Sequence, residues 1–224
     1  MSAPRGRPQR DAVRHPLFAR FYARLSVAGD ARAGVAAHRE ELVAGLSGRV
    51  IEIGAGNGLN FAHYPGAVSE VVAIEPEPHM RRLAARSALR AEVPVDVVPG
   101  MADALPVKSE SFDAAVFSLV LCSLARPLDV RRALAEARRV LRPGGELRFY
   151  EHGRAEGRAM ATVQRALDGT VWPLMFGGCH TARRPVAAVE AAGFTDVAFR
   201  RVRVPEGGPA LPASFHVLGS ARRP

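Results

Sequence analysis

The sequence predicts an α/β domain organised around a parallel sheet with helices on both faces. Three observations predict it. From Arg49 onward, short apolar runs alternate with longer segments of helical periodicity. The runs are continuously apolar, as strands covered on both faces must be. The length, 224 residues, suits one such domain and little more.

The elements follow in chain order. Residues 1–14 are polar, basic and proline-containing, and are expected to be a mobile tail. Residues 15–48 read as an N-terminal helical cap. Leu17, Phe18, Phe21, Tyr22 and Leu25 share one helical face, and Val35, Leu42, Val43 and Leu46 make a second stripe that Gly48 closes. Residues 49–224 form the main domain. Its strand candidates are Val50–Ile53, Glu70–Ile74, Val95–Val98, Phe112–Ser118 and Glu146–Glu151. Between them lie helical segments at Asn57–Tyr64, Pro78–Leu89 and Pro127–Leu141, the last stopped by Pro143-Gly144-Gly145. A helical insertion over about 157–182 breaks at Pro173. A helix over Pro185–Ala192 begins on proline and ends at Gly193. Phe194–Val204 and Ser214–Gly219 read as strands of a terminal hairpin with a short loop.

Composition excludes several classes. With 48% hydrophobic and 24% charged residues, the chain is no disordered protein. Its longest apolar stretch, Ala114 to Ala125, contains serines and falls short of the roughly 20 residues of a membrane span. The Arg- and Pro-rich start has no apolar signal core, so a cytoplasmic protein is expected. Two cysteines, Cys122 and Cys179, make neither a disulfide framework nor a zinc cluster. The net charge of +9 permits anionic partners. Only Lys108 is a lysine, so compositional bias toward arginine explains the charge better than a nucleic-acid surface does, and no nucleic-acid partner is expected. The basic N-terminus is a candidate for peripheral membrane contact.

The chemistry begins at Glu52-Ile53-Gly54-Ala55-Gly56-Asn57-Gly58, where the first strand runs into a glycine-rich turn. Such a turn lets a ligand approach the backbone closely. Glu75 ends the second strand, placed to accept hydrogen bonds from the hydroxyls of an adenosine ribose. A dinucleotide fingerprint would carry its third glycine at position 59, which is leucine. The turn therefore needs no pyrophosphate, and an amino-acid tail can sit there instead.

At this point the sequence resembles the class I S-adenosylmethionine-dependent methyltransferases over about residues 45–200. Val50–Gly58 looks like their first motif, and Glu75 matches their ribose-binding acid. Gly100-Met101-Ala102-Asp103-Ala104-Leu105-Pro106 looks like their adenine loop, Ser111-Phe112-Asp113 like the opening of their fourth strand, and Arg139–Gly145 like their turn into strand five. The resemblance implies a seven-stranded, mostly parallel Rossmann-like sheet with a terminal antiparallel hairpin and an N-terminal helical cap. It implies S-adenosyl-L-methionine as cofactor. Glu52, Gly54, Ala55, Gly56, Gly58 and Asn60 would flank the methionine portion, Glu75 and Pro76 the ribose, Met101 and Ala102 the adenine, and Ser118 and Leu119 the sulfonium. Met101 stands where many relatives carry an aspartate, so a backbone amide or Asp103 would serve instead.

A narrower resemblance rests on Asn60–Pro65, Leu119–Ser123, Phe149–His152, and Trp172 with Phe176–Cys179. These segments look like the small-molecule branch containing the animal thiol methyltransferases called methyltransferase-like seven. Bacterial phospholipid and quinone methyltransferases share the outer motifs more loosely. The resemblance implies methyl transfer to a small, partly apolar acceptor. A thiol is expected first, a lipid amine or quinone-like phenol next. Direct in-line displacement without a covalent enzyme intermediate is expected, because no nucleophile–base pair is evident. A non-catalytic cofactor-binding or membrane-surface protein is the reading from a different class, and the oligomeric state stays open.

Several residues are candidates for the acceptor side. His152 follows the fifth strand and can accept a proton, orient the acceptor, or simply be a structural histidine. Glu151 beside it either buttresses that ring or points away. Cys122 reads as a buried small hydrophobe or a pocket residue. Trp172 and Phe176 can wall an apolar pocket, and Phe18 and Tyr22 can pack on the sheet edge or close over the cofactor. Cys179 and His180 are only two ligands, so no metal is expected.

Overall fold

The computed structural model describes residues 34–170 and 172–224. The tail and the expected helix over Leu17–Leu25, with Phe18 and Tyr22, lie outside the described residues. Helix α1 spans Val35–Val43, and β1 follows at Gly48–Ile53. Then come β2 (Val68–Ile74), α2 (Pro78–Ala88), β3 (Val95–Val98), β4 (Phe112–Ser118), α3 (Pro127–Val140) and β5 (Leu141–His152). The insertion holds α4 (Arg158–Asp168) and α5 (Trp172–Met175). After it lie α6 (Pro185–Ala191), β6 (Thr195–Arg203) and β7 (Phe215–Arg222). The seven strands form one sheet in the order β3-β2-β1-β4-β5-β7-β6. The first five run parallel, and β7 is antiparallel to both β5 and β6. This is the Rossmann-like arrangement with one reversed strand, β7, set between β5 and β6.

The continuous apolar runs are explained by two cores. Successive strand side chains point to opposite faces. Ile51, Ile53, Val72, Ile74 and Phe149 pack on one face with Leu134, Ala137 and Val189 from α3 and α6. Val50, Val71, Ala114, Val116 and Tyr150 pack on the other with Leu42 and Val43 from α1. Helix α3 begins with Pro127, whose missing N–H costs nothing in a first turn, and Asp129 accepts from the Arg126 backbone N–H at 3.1 Å.

Several boundaries differ from the sequence expectation. Helix α1 ends at Val43, Gly45 takes φ of 73°, and Gly48 opens β1 rather than closing a helix. Asn57–Tyr64 is a turn with only a 3₁₀ segment at Phe61–His63. The buried Phe61 and Tyr64 anchor it from below, and left-handed glycines precede it. Strand β5 starts at Leu141, because Gly144 and Gly145 pair with Arg223 at the chain end. The insertion breaks at Gly169 and Thr170, not at Pro173, which sits in the first turn of α5. Asp168 ends α4 and accepts hydrogen bonds from Thr181 and Ala182, pinning the returning chain. The β6–β7 connection is longer than a tight hairpin, running over residues 204–214 with a 3₁₀ turn at Pro212–Ser214. Buried Gln164 of α4 donates to the Pro212 carbonyl and holds that loop. Among the described residues no helix is long and apolar enough to cross a membrane.

Candidate active site

The carboxyl ends of β1, β2, β4 and β5 meet along one edge of the sheet, where ligands of parallel α/β folds bind. After β1 the chain turns through Gly54, Gly56 and Gly58, all at positive φ. A β-carbon on Gly54 would lie 2.6 Å from Val120 Cγ2, so the turn packs directly on the segment after β4. A β-carbon on Gly56 would meet only Met80 Cε, at 3.7 Å, so this backbone surface is open to close approach.

Glu75 follows β2 and closes the turn from below. Its carboxylate accepts from the Gly56 N–H at 2.8 Å and the Glu77 N–H at 2.9 Å. Burial raises its pKa, against the pull of those two hydrogen bonds. Arg81 donates to the carbonyls of Glu75 and Pro76 and fixes this corner. Met101 and Ala104 form a one-bridge turn beyond β3, with Ala102 between them. Leu119 adopts φ of 59°, rare for a leucine, and donates its N–H to the Tyr150 carbonyl.

Glu52 lies beneath the turn, 1% exposed. Asn60 and Tyr64 each donate to it at 2.8 Å. Arg39 of α1 donates to Asn60 at 2.8 Å and to Ser118 Oγ at 3.1 Å, so the helical cap is tied to the site by a buried polar chain. Arg39 escaped the sequence reading, and Tyr64 entered it only within the Asn60–Pro65 segment, with no role assigned. Arg39 did leave a signal, a charge on the apolar stripe of Val35, Leu42 and Val43.

Burial pushes Glu52 up to about 7 from its ordinary 4.5, against Tyr64, Asn60 and Arg39, which lower it. The folded state therefore keeps a proton that the unfolded chain has released between these values. This contribution to stability is full below the unfolded value and lost as pH rises through the folded one, on the order of 3 kcal/mol. Between pH 5 and 8 the urea midpoint of the wild type is expected to fall relative to that of Glu52→Gln. Parallel pH profiles for the two proteins would refute this.

Glu151 does not line a substrate pocket. Fully buried, it accepts from the backbone N–H groups of Val120, Leu121 and Cys122 at 2.8, 2.9 and 3.1 Å. It shapes the turn after β4. His152 points elsewhere, and its Nδ1 lies 3.4 Å from Cys122 Sγ and 3.5 Å from Cys179 Sγ. Cys122 stands in the 3₁₀ turn after β4, and Cys179 on the chain returning from the insertion. Cys179 is thus joined by Cys122 and His152, whereas His180 Nδ1 faces the Gly178 carbonyl at 2.6 Å. The two thiols diverge. The Cys122 hydrogen bond, then His152, pull Cys179 down to about 5, against burial, and the hydrogen bond to Cys179 together with burial pushes Cys122 well up. Burial lowers His152, but the Cys179 hydrogen bond and charge outweigh it and leave the imidazole raised.

Trp172 and Phe176 stack with ring centroids 4.1 Å apart. A cleft of about 560 Å³ separates the insertion from the adenine-loop candidates, with Pro173, Leu174 and Gly178 facing Met101, Ala102 and Asp103. The insertion therefore meets the cleft through the neighbours of the two aromatic residues.

Comparison with known proteins fits this geometry. Residues 51–149 match the methyltransferase domain family. The human thiol S-methyltransferase TMT1B is 34% identical over 184 residues, covering 79% of this chain and 72% of the relative. The chain belongs to the class I S-adenosylmethionine-dependent methyltransferases, in the branch that holds the thiol S-methyltransferases. It is an enzyme of that family, with S-adenosylmethionine as cofactor. The methyltransferase UbiE of ubiquinone/menaquinone biosynthesis from Syntrophotalea carbinolica is 32% identical, covering 76% of this chain and 73% of the relative. Among solved structures, a SAM-dependent methyltransferase from Thermotoga maritima shares the fold with a TM-score of 0.66 and 23% identity, over 93% of this chain and 98% of that one.

Proposed function

We propose that this methyltransferase acts on the thiol of a small, partly apolar acceptor. The observation that carries the reading is the match to thiol S-methyltransferases over more than three quarters of the chain. S-adenosylmethionine supplies a methyl group already activated on a sulfonium. The residues of this chain have to hold it, admit the acceptor and keep water away. Glu75 would bind the ribose hydroxyls, because its carboxyl oxygens are acceptors anchored at the turn. Gly56 would bring bare backbone to the methionine portion, and the Met101–Ala102 turn would flank the adenine. Ser118 and Leu119 would lie beneath the reacting centre, with Ser118 positioned by Arg39.

A thiol acceptor would need no dedicated base. An alkyl thiol with a pKa near 8.5 is partly ionised at neutral pH, whereas a phenol would need a proton acceptor. The test is transfer of labelled methyl to a panel of alkyl and aryl thiols, with phenol, quinol, amine and phospholipid arms. Methylation confined to thiols is expected. Thiols left unmethylated by protein that binds S-adenosylhomocysteine would overturn the acceptor assignment and leave the enzyme class standing.

A further inference from the structure

Cys122, His152 and Cys179 converge beside the turn after β4. One nitrogen, Nδ1 of His152, faces both sulfurs, and the three atoms all lie within 4.8 Å of one another. A single ring nitrogen has one lone pair or one proton, so it can serve one sulfur well and not two. A cation between the three atoms serves all of them. The distances suit one. Zinc bonds of about 2.3 Å to sulfur and about 2.0–2.1 Å to nitrogen, at a tetrahedral angle, put sulfur and nitrogen about 3.6 Å apart. The observed separations are 3.4 and 3.5 Å.

We propose that Cys122, His152 and Cys179 form a three-ligand site for a thiophilic divalent cation of the zinc type, with the fourth position open. The sequence pointed to no metal because Cys179 has only His180 beside it, and the other two ligands lie 27 and more residues away.

The surroundings hold the three ligands in place. Glu151 takes the backbone N–H groups of the Cys122 turn. The Cys122 carbonyl accepts from the His180 N–H at 2.8 Å, which stitches the two cysteine segments together. Gly178 makes that approach possible. Its φ is 86°, and a β-carbon there would lie 2.6 Å from the Ser123 carbonyl oxygen.

An access route exists as well. Cys122 and His152 line a cleft of about 300 Å³ whose walls include Leu121, Val130 and Ala188. Arg131, Arg183 and Arg184 line it too. They do not oppose a metal here, since two thiolates cancel the charge of a divalent ion. Three protein ligands with one free position is the arrangement of catalytic rather than structural zinc sites.

The test uses the full-length protein, reduced, stripped with a chelator and titrated with cobalt(II) alone, then with zinc(II). One equivalent of cobalt is expected to give the visible bands of a tetrahedral ion and a thiolate charge-transfer band, both displaced by zinc. Cys122→Ser and Cys179→Ser are each expected to weaken zinc binding about 100-fold or more. Circular dichroism and S-adenosylhomocysteine binding check that these variants fold. Should they not, His152→Cys, which keeps three ligands, is expected to retain the tetrahedral spectrum with stronger charge transfer. No charge-transfer band in the wild type, affinity unchanged by the serine substitutions, or a Cys122–Cys179 disulfide persisting under the reducing conditions would overturn the site. Cobalt binding does not depend on acceptor identity, so a protein that binds it but methylates no thiol would sink only the acceptor assignment.

Discussion

Glu151→Ala is expected to cost the fold about 3–9 kcal/mol, a large share of the stability of an ordinary domain. One side chain accepts three backbone hydrogen bonds in the interior, from Val120, Leu121 and Cys122. Alanine leaves two buried donors and one part-buried donor without an acceptor, and each such donor costs about 1–3 kcal/mol. The penalty falls where Leu119 already holds a left-handed φ, so the turn has a reason to reopen. Glu151→Gln keeps one oxygen but turns an amide donor toward an N–H, and about half the loss is expected. Urea unfolding of the two variants beside the wild type measures both losses. An alanine variant within about 1 kcal/mol of wild type would show that water or a shifted turn satisfies these donors.

Glu75→Ala is expected to weaken S-adenosylhomocysteine binding by about 100-fold or more while the domain stays folded. Hydrogen bonds to a charged group contribute about 1.5–3 kcal/mol each, so losing two to the ribose would account for that drop. The carboxylate also anchors the Gly56 N–H, so its removal loosens the turn that receives the methionine portion. Glu75→Gln keeps one acceptor oxygen, and about a tenfold loss is expected. Calorimetric titration reads both values. Binding by the alanine variant within about threefold of wild type would remove Glu75 from the ribose site.

Much of the fold was legible because its signals are local. The expected bounds of β3 and β4 agree with the structure, and those of α2 and α3 differ by one residue at the C-terminal end. Continuous apolar runs announced strands covered on both faces, and prolines announced first turns. The errors lie where a tertiary partner overrides local preference. Asn57–Tyr64 has helical residues but is drawn into a turn by the burial of Phe61 and Tyr64. The proline of the insertion predicts the break, yet Asp168, bonded to Thr181 and Ala182, ends the helix earlier.

The site divides the same way. The glycine turn and Glu75 were readable because one strand, one turn and one acid recur at a fixed spacing. Glu151 was readable as a candidate but not in its role, since which face a strand residue takes and which N–H groups await it depend on the neighbouring loop. By itself, the sequence determined the α/β class, the cofactor turn and the family resemblance, because periodicity and motif spacing are properties of adjacent residues. Only the tertiary structure decided that Arg39 reaches from α1 to Asn60 and Ser118, and that His152 stands between Cys122 and Cys179, residues 30 and 27 positions away. Such meetings are set by the register of strands and the closure of loops, which fold through burial of distant side chains and leave no periodic trace along the chain.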